Sequence, residues 1–221
     1  MADDLIFSSY PVFRSPPEAL RDERDVAVKE AEALFEEFAT RVTLRGVYST
    51  AAFGPRADLM LWWVGRSVDD IQDLMVAFRR TRLGRTLEIV ESFLGLVRDA
   101  EFTADHAPAF VKGDRPKRYL SVYPFVRTPD WYLLDPADRG RMLQEHGMLG
   151  REFPDVLANT TSAFGLNDYE WILAFEADSP DRIVDLLRSL RANESRRFVK
   201  AETPFFTGIR KPLAEAVADL P

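Results

Sequence analysis

The chain repeats a stretch of itself, and that repeat restricts its fold more than any other feature. Residues 49–80, STAAFGPRADLMLWWVGRSVDDIQDLMVAFRR, align with residues 160–191, TTSAFGLNDYEWILAFEADSPDRIVDLLRSLR, with only small gaps. Each copy gives β-forming residues, an Ala-Phe-Gly turn, a second apolar run, a serine suited to capping, and an amphipathic helix. Ordinary αβ grammar accounts for part of the likeness, but Ala-Phe-Gly at matched places speaks for an internal duplication. A doubled strand–strand–helix unit predicts an α+β fold. Its two ferredoxin-like repeats would fuse into one antiparallel, β-barrel-like sheet with helices outside, a dimeric α+β barrel. The expected division is an N-terminal half, residues 1–98, serving as scaffold, and a C-terminal half, residues 99–221, carrying the binding site, in one compact unit.

Around the repeat the pattern is readable in outline. Residues 17–40 read as a long charged helix with proline near its start, and 42–54 as β-formers ending in a Gly-Pro turn. Residues 57–65 read as a strand and 67–84 as a helix, with Ser67 as N-cap and Asp69 and Asp70 in its first turn. Arg79, Arg80 and Arg82 lie toward its C-terminal end, and Gly84 ends it. Residues 99–117 form a loop-rich connector, followed by a strand and turn over 118–134. Alternation puts Tyr119, Ser121, Tyr123, Phe125 and Arg127 on one face of that strand, with Leu120, Val122 and Val126 on the other. Pro124 has no N–H to give a ladder, so the strand is an edge or is interrupted there.

Composition narrows the chemistry. A net charge of −7 argues against broad nucleic-acid binding, and no apolar run is long enough to span a membrane. Cysteine is absent, which removes disulfides, thiolate metal sites and cysteine nucleophiles and suits a cytosolic chain. There is no Gly-rich phosphate loop, no Gly-x-Ser-x-Gly elbow and no His-Glu-x-x-His. Only two histidines are present, His106 and His146, so a three-histidine metal site is impossible, while a cofactor needing one imidazole is not. In RMLQEHGMLGREF, residues 141–153, helical spacing puts Met142, His146, Leu149 and Phe153 on one face. A buried histidine with a single hydrogen-bond partner is the ordinary reading of that pattern. Gly147 and Gly150 pull against it, since each costs a helix interior about 1 kcal/mol relative to alanine. A flat, bulky group approaching the helix would explain them.

Several segments together carry a resemblance that none carries alone. YPFVR (123–127), WYLL (131–134), HGMLGREF (146–153), AFGLNDYEW (163–171) and ETPFFTG (202–208) resemble the chlorite dismutase-like superfamily. The nearest branch is the haem-synthesis one, the coproheme decarboxylases, and FRRTRLGR (78–85) and EFTADHAPAF (101–110) look like its actinobacterial type. The resemblance implies that His146 is the proximal iron ligand and that Tyr123 becomes a radical that removes hydrogen from a propionate. It implies that Arg127 holds a propionate through charge-assisted bonds. His106 would be the distal base that activates peroxide, and Trp171 an aromatic beside the porphyrin, with Gly150 leaving room for it. Arg197 or its neighbour Arg196 would supply a further propionate contact. Chlorite-decomposing members carry a distal arginine 13 residues after the proximal histidine; here that register gives Asn159, which can donate a hydrogen bond to a ligand but has no fixed charge.

The resemblance therefore implies peroxide-dependent decarboxylation of two propionates of iron coproporphyrin III (coproheme) to vinyls, giving haem b, the final step of coproporphyrin-dependent haem biosynthesis. Coproheme would be both substrate and redox cofactor. It further implies a cytoplasmic homopentamer, with the ferrochelatase of the same pathway as a candidate partner and no nucleic-acid partner. The alternatives are a chlorite dismutase-like haem peroxidase, a non-catalytic haem-binding protein, and a haem-free interaction module.

Overall fold

The structure, a computed structural model, describes residues 5–17, 19–99 and 107–221. They fall into two compact units: Met1–Val97 with Phe206–Pro221, and Arg98–Phe205. The first unit begins with strand β1 (Phe7–Arg14), a 3-10 turn (Arg21–Glu23), helix α1 (Arg24–Phe38), and strands β2 (Val42–Ser49) and β3 (Leu59–Gly65). It continues with helices α2 (Val68–Phe78) and α3 (Arg82–Thr86) and strand β4 (Glu88–Leu96). This β-α-β-β-α-β succession, with antiparallel strands in the order β4-β1-β3-β2, is the ferredoxin-like arrangement that the repeat predicts.

β3 shows how the sequence sorts its side chains. Its apolar run is buried on both faces, as a strand covered on both sides requires. Leu59, Leu61 and Trp63 point into the core formed with α1 and α2, where Trp63 meets Phe78 edge-on at 6.1 Å and Phe35 at 6.4 Å. Trp62 points the other way, packs on Tyr10 at 4.9 Å and donates its indole N–H to Ser8 Oγ at 2.8 Å. From the helices, Ala27, Val28, Ala31 and Phe38 of α1 and Ile71, Leu74 and Phe78 of α2 complete this core at helical spacing.

Ser67 caps α2 as its type predicts, accepting from the N–H groups of Asp69 at 3.1 Å and Asp70 at 3.4 Å. The helix does not run to Gly84, however. It ends at Phe78, and Thr81 starts α3 by accepting from Gly84 N at 3.0 Å while its hydroxyl donates to Phe78 O at 2.7 Å. Gly84 thus lies inside the second helix, where a Cβ would come within 1.9 Å of Phe78 O. It is there for a close helix–backbone approach, not as a C-cap.

The second unit repeats the plan with strand β5 (Tyr119–Arg127), helices α4 (Pro129–Leu133) and α5 (Pro136–Arg151), strands β6 (Leu157–Ser162) and β7 (Trp171–Ala177), helix α6 (Pro180–Leu190), a 3-10 turn (Glu194–Phe198) and strand β8 (Val199–Ala201). Its strands pair as β6-β7-β5-β8. β5 runs unbroken through Pro124, paired to β7 from Tyr119 to Phe125, so the strand is not interrupted at the proline. Tyr123, Phe175 and Ala177 form a core with Ile183 and Leu186 of α6. The chain closes with strand β9 (Phe206–Arg210) and helix α7 (Leu213–Ala218), both in the first unit, where Leu213, Ala216 and Val217 join the core. Arg24 ties α1 to this end by donating to Leu220 O at 2.8 Å.

The opposite face of β7 holds a fully buried carboxylate, Glu176. Its Oε1 accepts from Asn159 Nδ2 at 3.1 Å and its Oε2 from the backbone N–H of Lys117 at 3.0 Å. Asn159 also donates to Ala174 O at 3.2 Å and accepts from Phe110 N at 2.9 Å. Two points of the connector, Phe110 and Lys117, are thereby pinned to β6 and β7. Glu176→Ala should lower unfolding stability by about 3 kcal/mol, because it strips buried donors of their acceptor. Equilibrium urea unfolding measures this, and a loss below about 1 kcal/mol would show that the network is dispensable.

Candidate active site

α5 is capped by Asp135, whose side chain accepts from Ala137 N at 2.8 Å, and Pro136 occupies its first turn. Along its 16 residues only Met142 is buried. Leu143, His146, Gly147 and Gly150, spaced as one helical stripe, are all half-buried, and His146 Nδ1 is sealed from solvent. A Cβ built on Gly150 would meet nothing within 4 Å. The helix therefore presents a stripe of small and apolar residues around one imidazole, with space over the glycine.

On β5, Tyr123 is only 3% exposed and lies against Phe205 at 4.4 Å and Phe175 at 6.1 Å between ring centroids. Burial pushes its phenol well above the usual tyrosine range; Glu202 pushes the same way, while Arg191 and Arg196 oppose it. Arg127 follows a bulge in the β5–β8 pairing and is itself 9% exposed. Its guanidinium stacks over Trp131 at 4.1 Å and Phe125 at 4.7 Å, and Nη1 donates to Ser195 O at 2.9 Å. Burial pulls this guanidinium down to about 10, with Tyr132, Glu170 and Glu202 acting against the fall.

The turn Glu194–Phe198 is where the helix and the strand meet. Arg127 grips its Ser195 carbonyl, Thr128 N donates to Phe198 O at 2.8 Å, and Trp131 packs on Phe198 at 5.7 Å. From α5, Arg141 bonds Glu194 at 3.2 Å, and Glu145, the residue before His146, accepts from Asn193 Nδ2 at 3.4 Å. The turn thus connects His146's helix to the Tyr123–Arg127 strand. It also separates the two candidate arginines: Arg196 is paired with Glu202 at 2.5 Å, whereas Arg197 is exposed and forms no ion pair among the described residues.

Trp171 opens β7, half-buried, with Phe164 edge-on at 4.7 Å, Phe125 at 5.9 Å and Tyr132 stacked at 6.5 Å. This aromatic group adjoins Arg127 through Phe125, and Glu170 Oε2 accepts from both Arg127 N at 2.6 Å and Tyr132 Oη at 2.7 Å. Asn159 is placed otherwise than its sequence register suggests. At 1% exposure, its two amide hydrogens and one carbonyl lone pair are already engaged by the protein, so it secures the connector instead of offering a donor. His106 lies outside the described residues. Sequence reasoning missed Ser195, Glu202 and Arg191, because a backbone carbonyl and an ion pair between separate elements leave no pattern in one sequence.

No group of three or more His, Asp or Glu among the described residues could hold a metal ion, and no helix among them is long and apolar enough to cross a membrane. Residues 24–211 match the chlorite dismutase family model. Over 218 residues the chain is 47% identical to the coproheme decarboxylase of Mycolicibacterium smegmatis (strain ATCC 700084 / mc(2)155), covering 98% of this chain and 94% of that protein. The structure is similar to chlorite dismutase from Candidatus Nitrospira defluvii in complex with imidazole, at a TM-score of 0.87 and 23% identity, over 96% of this chain and 94% of that one. A variant of the same enzyme in complex with cyanide gives 0.86 and 23%, over 96% and 93%. With the family model covering most of its length and a close relative aligned nearly end to end, the chain belongs to the chlorite dismutase family.

Proposed function

We propose that this chain is a coproheme decarboxylase, a haem-dependent oxidoreductase that uses hydrogen peroxide to convert two propionates of iron coproporphyrin III to vinyls, yielding haem b. The observation that carries this reading is a half-buried imidazole on α5 and a buried phenol on β5, tied through one turn, in a chain 47% identical to a coproheme decarboxylase. The residues present fit an iron porphyrin: one imidazole for the metal, open space at Gly150 for the ring, and an exposed, uncommitted Arg197 for a carboxylate. His146 would hold the iron, Trp171 would flank the ring, and Arg127 and Arg197 would meet propionates. Arg127 does so from a guanidinium already bonded to Ser195 O, which fixes its orientation.

When bound, the iron porphyrin supplies the oxidising power that peroxide delivers. Each propionate loses CO₂, one proton and two electrons, and one peroxide takes up the electrons as it becomes water. Tyr123 gives up its phenolic hydrogen and then takes one from the propionate β-carbon. Its high affinity for the proton keeps it a neutral phenol until oxidised. His106 would take the proton from peroxide. A chlorite dismutase reading is disfavoured because the register of the oxyanion-steering arginine holds Asn159, whose amide is committed to the protein. Cytoplasmic location, a homopentameric state and delivery from a ferrochelatase accompany the reading as expectations of the family branch.

Adding iron coproporphyrin III to the protein and titrating peroxide should give, by mass spectrometry, stepwise loss of two formic-acid equivalents. Unchanged or merely bleached porphyrin would sink the reading. Tyr123→Phe should bind coproheme normally and form no vinyl product; normal turnover would remove Tyr123 from its role. His146→Ala should abolish tight coproheme binding, followed by the porphyrin absorbance band, while circular dichroism stays unchanged. His106→Ala should slow the peroxide-dependent step most at acidic to neutral pH, where free peroxide is protonated, and a rate loss independent of pH would argue against a base at this position.

A further inference from the structure

α4 and the entry to β7 hold a second phenol that the proposed reaction does not use. Tyr132, 42% exposed, stacks on Trp171 with ring centroids 6.5 Å apart and 12° between the planes. Its hydroxyl donates to Glu170 Oε2 at 2.7 Å, and the same oxygen accepts from Arg127 N at 2.6 Å, so the carboxylate is held in place beside the phenol. Phe164 closes on both rings edge-on, 4.7 Å from Trp171 and 6.3 Å from Tyr132. Trp171 also stands apart from the other indoles. Of the chain's four tryptophans, Trp62, Trp63 and Trp131 are buried, and only Trp171 reaches solvent. An oxidisable indole, an oxidisable phenol stacked on it, and a carboxylate on the phenolic hydrogen therefore form one row that ends at the surface.

Resting on the functional reading above, we infer that Trp171, Tyr132 and Glu170 form an electron relay that carries surplus oxidising equivalents from the porphyrin to the surface. The need is chemical. Haem b, the product, lacks the two propionates that are oxidised, so a peroxide that reaches bound product makes an oxidant with no substrate to consume it. In the relay, Trp171 gives one electron toward the bound porphyrin, and Tyr132 gives one to Trp171. The phenolic proton moves to Glu170 Oε2 along the 2.7 Å bond, leaving a neutral phenoxyl and a neutral carboxylic acid, so no separated charge is created. A soluble one-electron donor of the ascorbate class then reduces the exposed ring, and the proton returns to it. Two such passages, with two protons from solvent, reduce one peroxide to two waters. Tyr123 differs in both respects that matter: it is 3% exposed, and no carboxylate accepts its hydrogen among the described residues. Its setting keeps a radical for the substrate, whereas that of Tyr132 passes one on.

Pulse radiolysis of the full chain without porphyrin tests the relay apart from turnover. Azide radicals oxidise solvent-reachable indoles first, so Trp171 is the point of entry, and absorbance separates the indole radical from the phenoxyl radical. In the wild-type protein the indole signal should pass to a phenoxyl signal at a rate independent of protein concentration. Tyr132→Phe should abolish that transfer. Glu170→Gln keeps an acceptor for the phenol but cannot take its proton, and should slow the transfer about a hundredfold, the lower end of what a placed proton acceptor contributes. With haem b bound and excess peroxide and ascorbate present, Tyr132→Phe should lose the porphyrin absorbance band at fewer peroxide equivalents than wild type, while still forming vinyl product from coproheme. Undiminished phenoxyl growth or lost vinyl formation in Tyr132→Phe, an unchanged rate in Glu170→Gln, or equal bleaching of Tyr132→Phe and wild type overturns the inference. Absence of vinyl product from the wild-type protein would instead overturn the functional reading, and radiolysis of the porphyrin-free chain would still judge the relay.

Discussion

The second unit depends on one buried cation. Arg127 lies between two aromatic faces, gives a hydrogen bond to the Ser195 carbonyl, and is covered so well that burial lowers its guanidinium to about 10. Taking a guanidinium out of water costs several kcal/mol unless its donors and its charge are answered. Here the answers are the carbonyl, the Trp131 and Phe125 rings, and the negative field of Glu170 and Glu202. Each of them belongs to a different part of the site: the turn, α4, β5, the entry to β7 and the residue after β8. Displacing any of these would leave the cation less satisfied, so its demand for partners holds them in one arrangement. A lysine could not do this, since it lacks the planar fork that stacks and donates together.

That arrangement gives the phenol an unusual setting. Tyr123 is sealed among Phe175, Phe205 and the α6 side chains, so ionisation is unfavourable, and in the proposed reaction the side chain would wait as a neutral hydrogen-atom donor. The nearby charges do not reverse this; Glu202 reinforces burial, and the two arginines only moderate it. A phenol on the surface would be deprotonated more easily but would also expose a radical to solvent and to other oxidisable side chains. Burial on a strand paired continuously from Tyr119 to Phe125 protects it and fixes its direction.

What the sequence made legible follows from the range of the interactions involved. The duplicated strand–turn–strand–helix unit, the Ser67 cap and the alternation along β5 are short-range patterns, and the structure has each of them. Gly84 was misread because a glycine at the end of an apolar period looks the same whether it caps a helix or admits a neighbouring carbonyl. Asn159 could be numbered from His146, but nothing local shows that its amide is committed to Phe110, Ala174 and Glu176. The Glu202 pair with Arg191 and Arg196 depends on how a helix end, a turn and the residue after β8 come together, and one sequence carries no signal of that.

The duplication also bears on why the proposed site falls in one unit and not in the other. β1 reads FSSYPVFR and β5 reads YLSVYPFVR, so both strands hold Tyr-Pro followed by an arginine. The pairings supply a common ruler: Ser9 stands opposite Trp63, and Ser121 opposite Phe175, and these two aromatics each lie four residues before the serine that opens the next helix. From that serine, Tyr10 is one residue on and Tyr123 is two. In a strand, one residue is the difference between faces. Tyr123 accordingly turns to the helix side, into the cluster with α6, while Tyr10 turns to the other side and packs on Trp62. The first unit thus keeps the residue types of the second but not their direction, and a phenol on the wrong face cannot share a helix-side site with anything that a helix presents. A single residue of offset between β5 and β1 is sufficient to separate the half proposed to react from its copy.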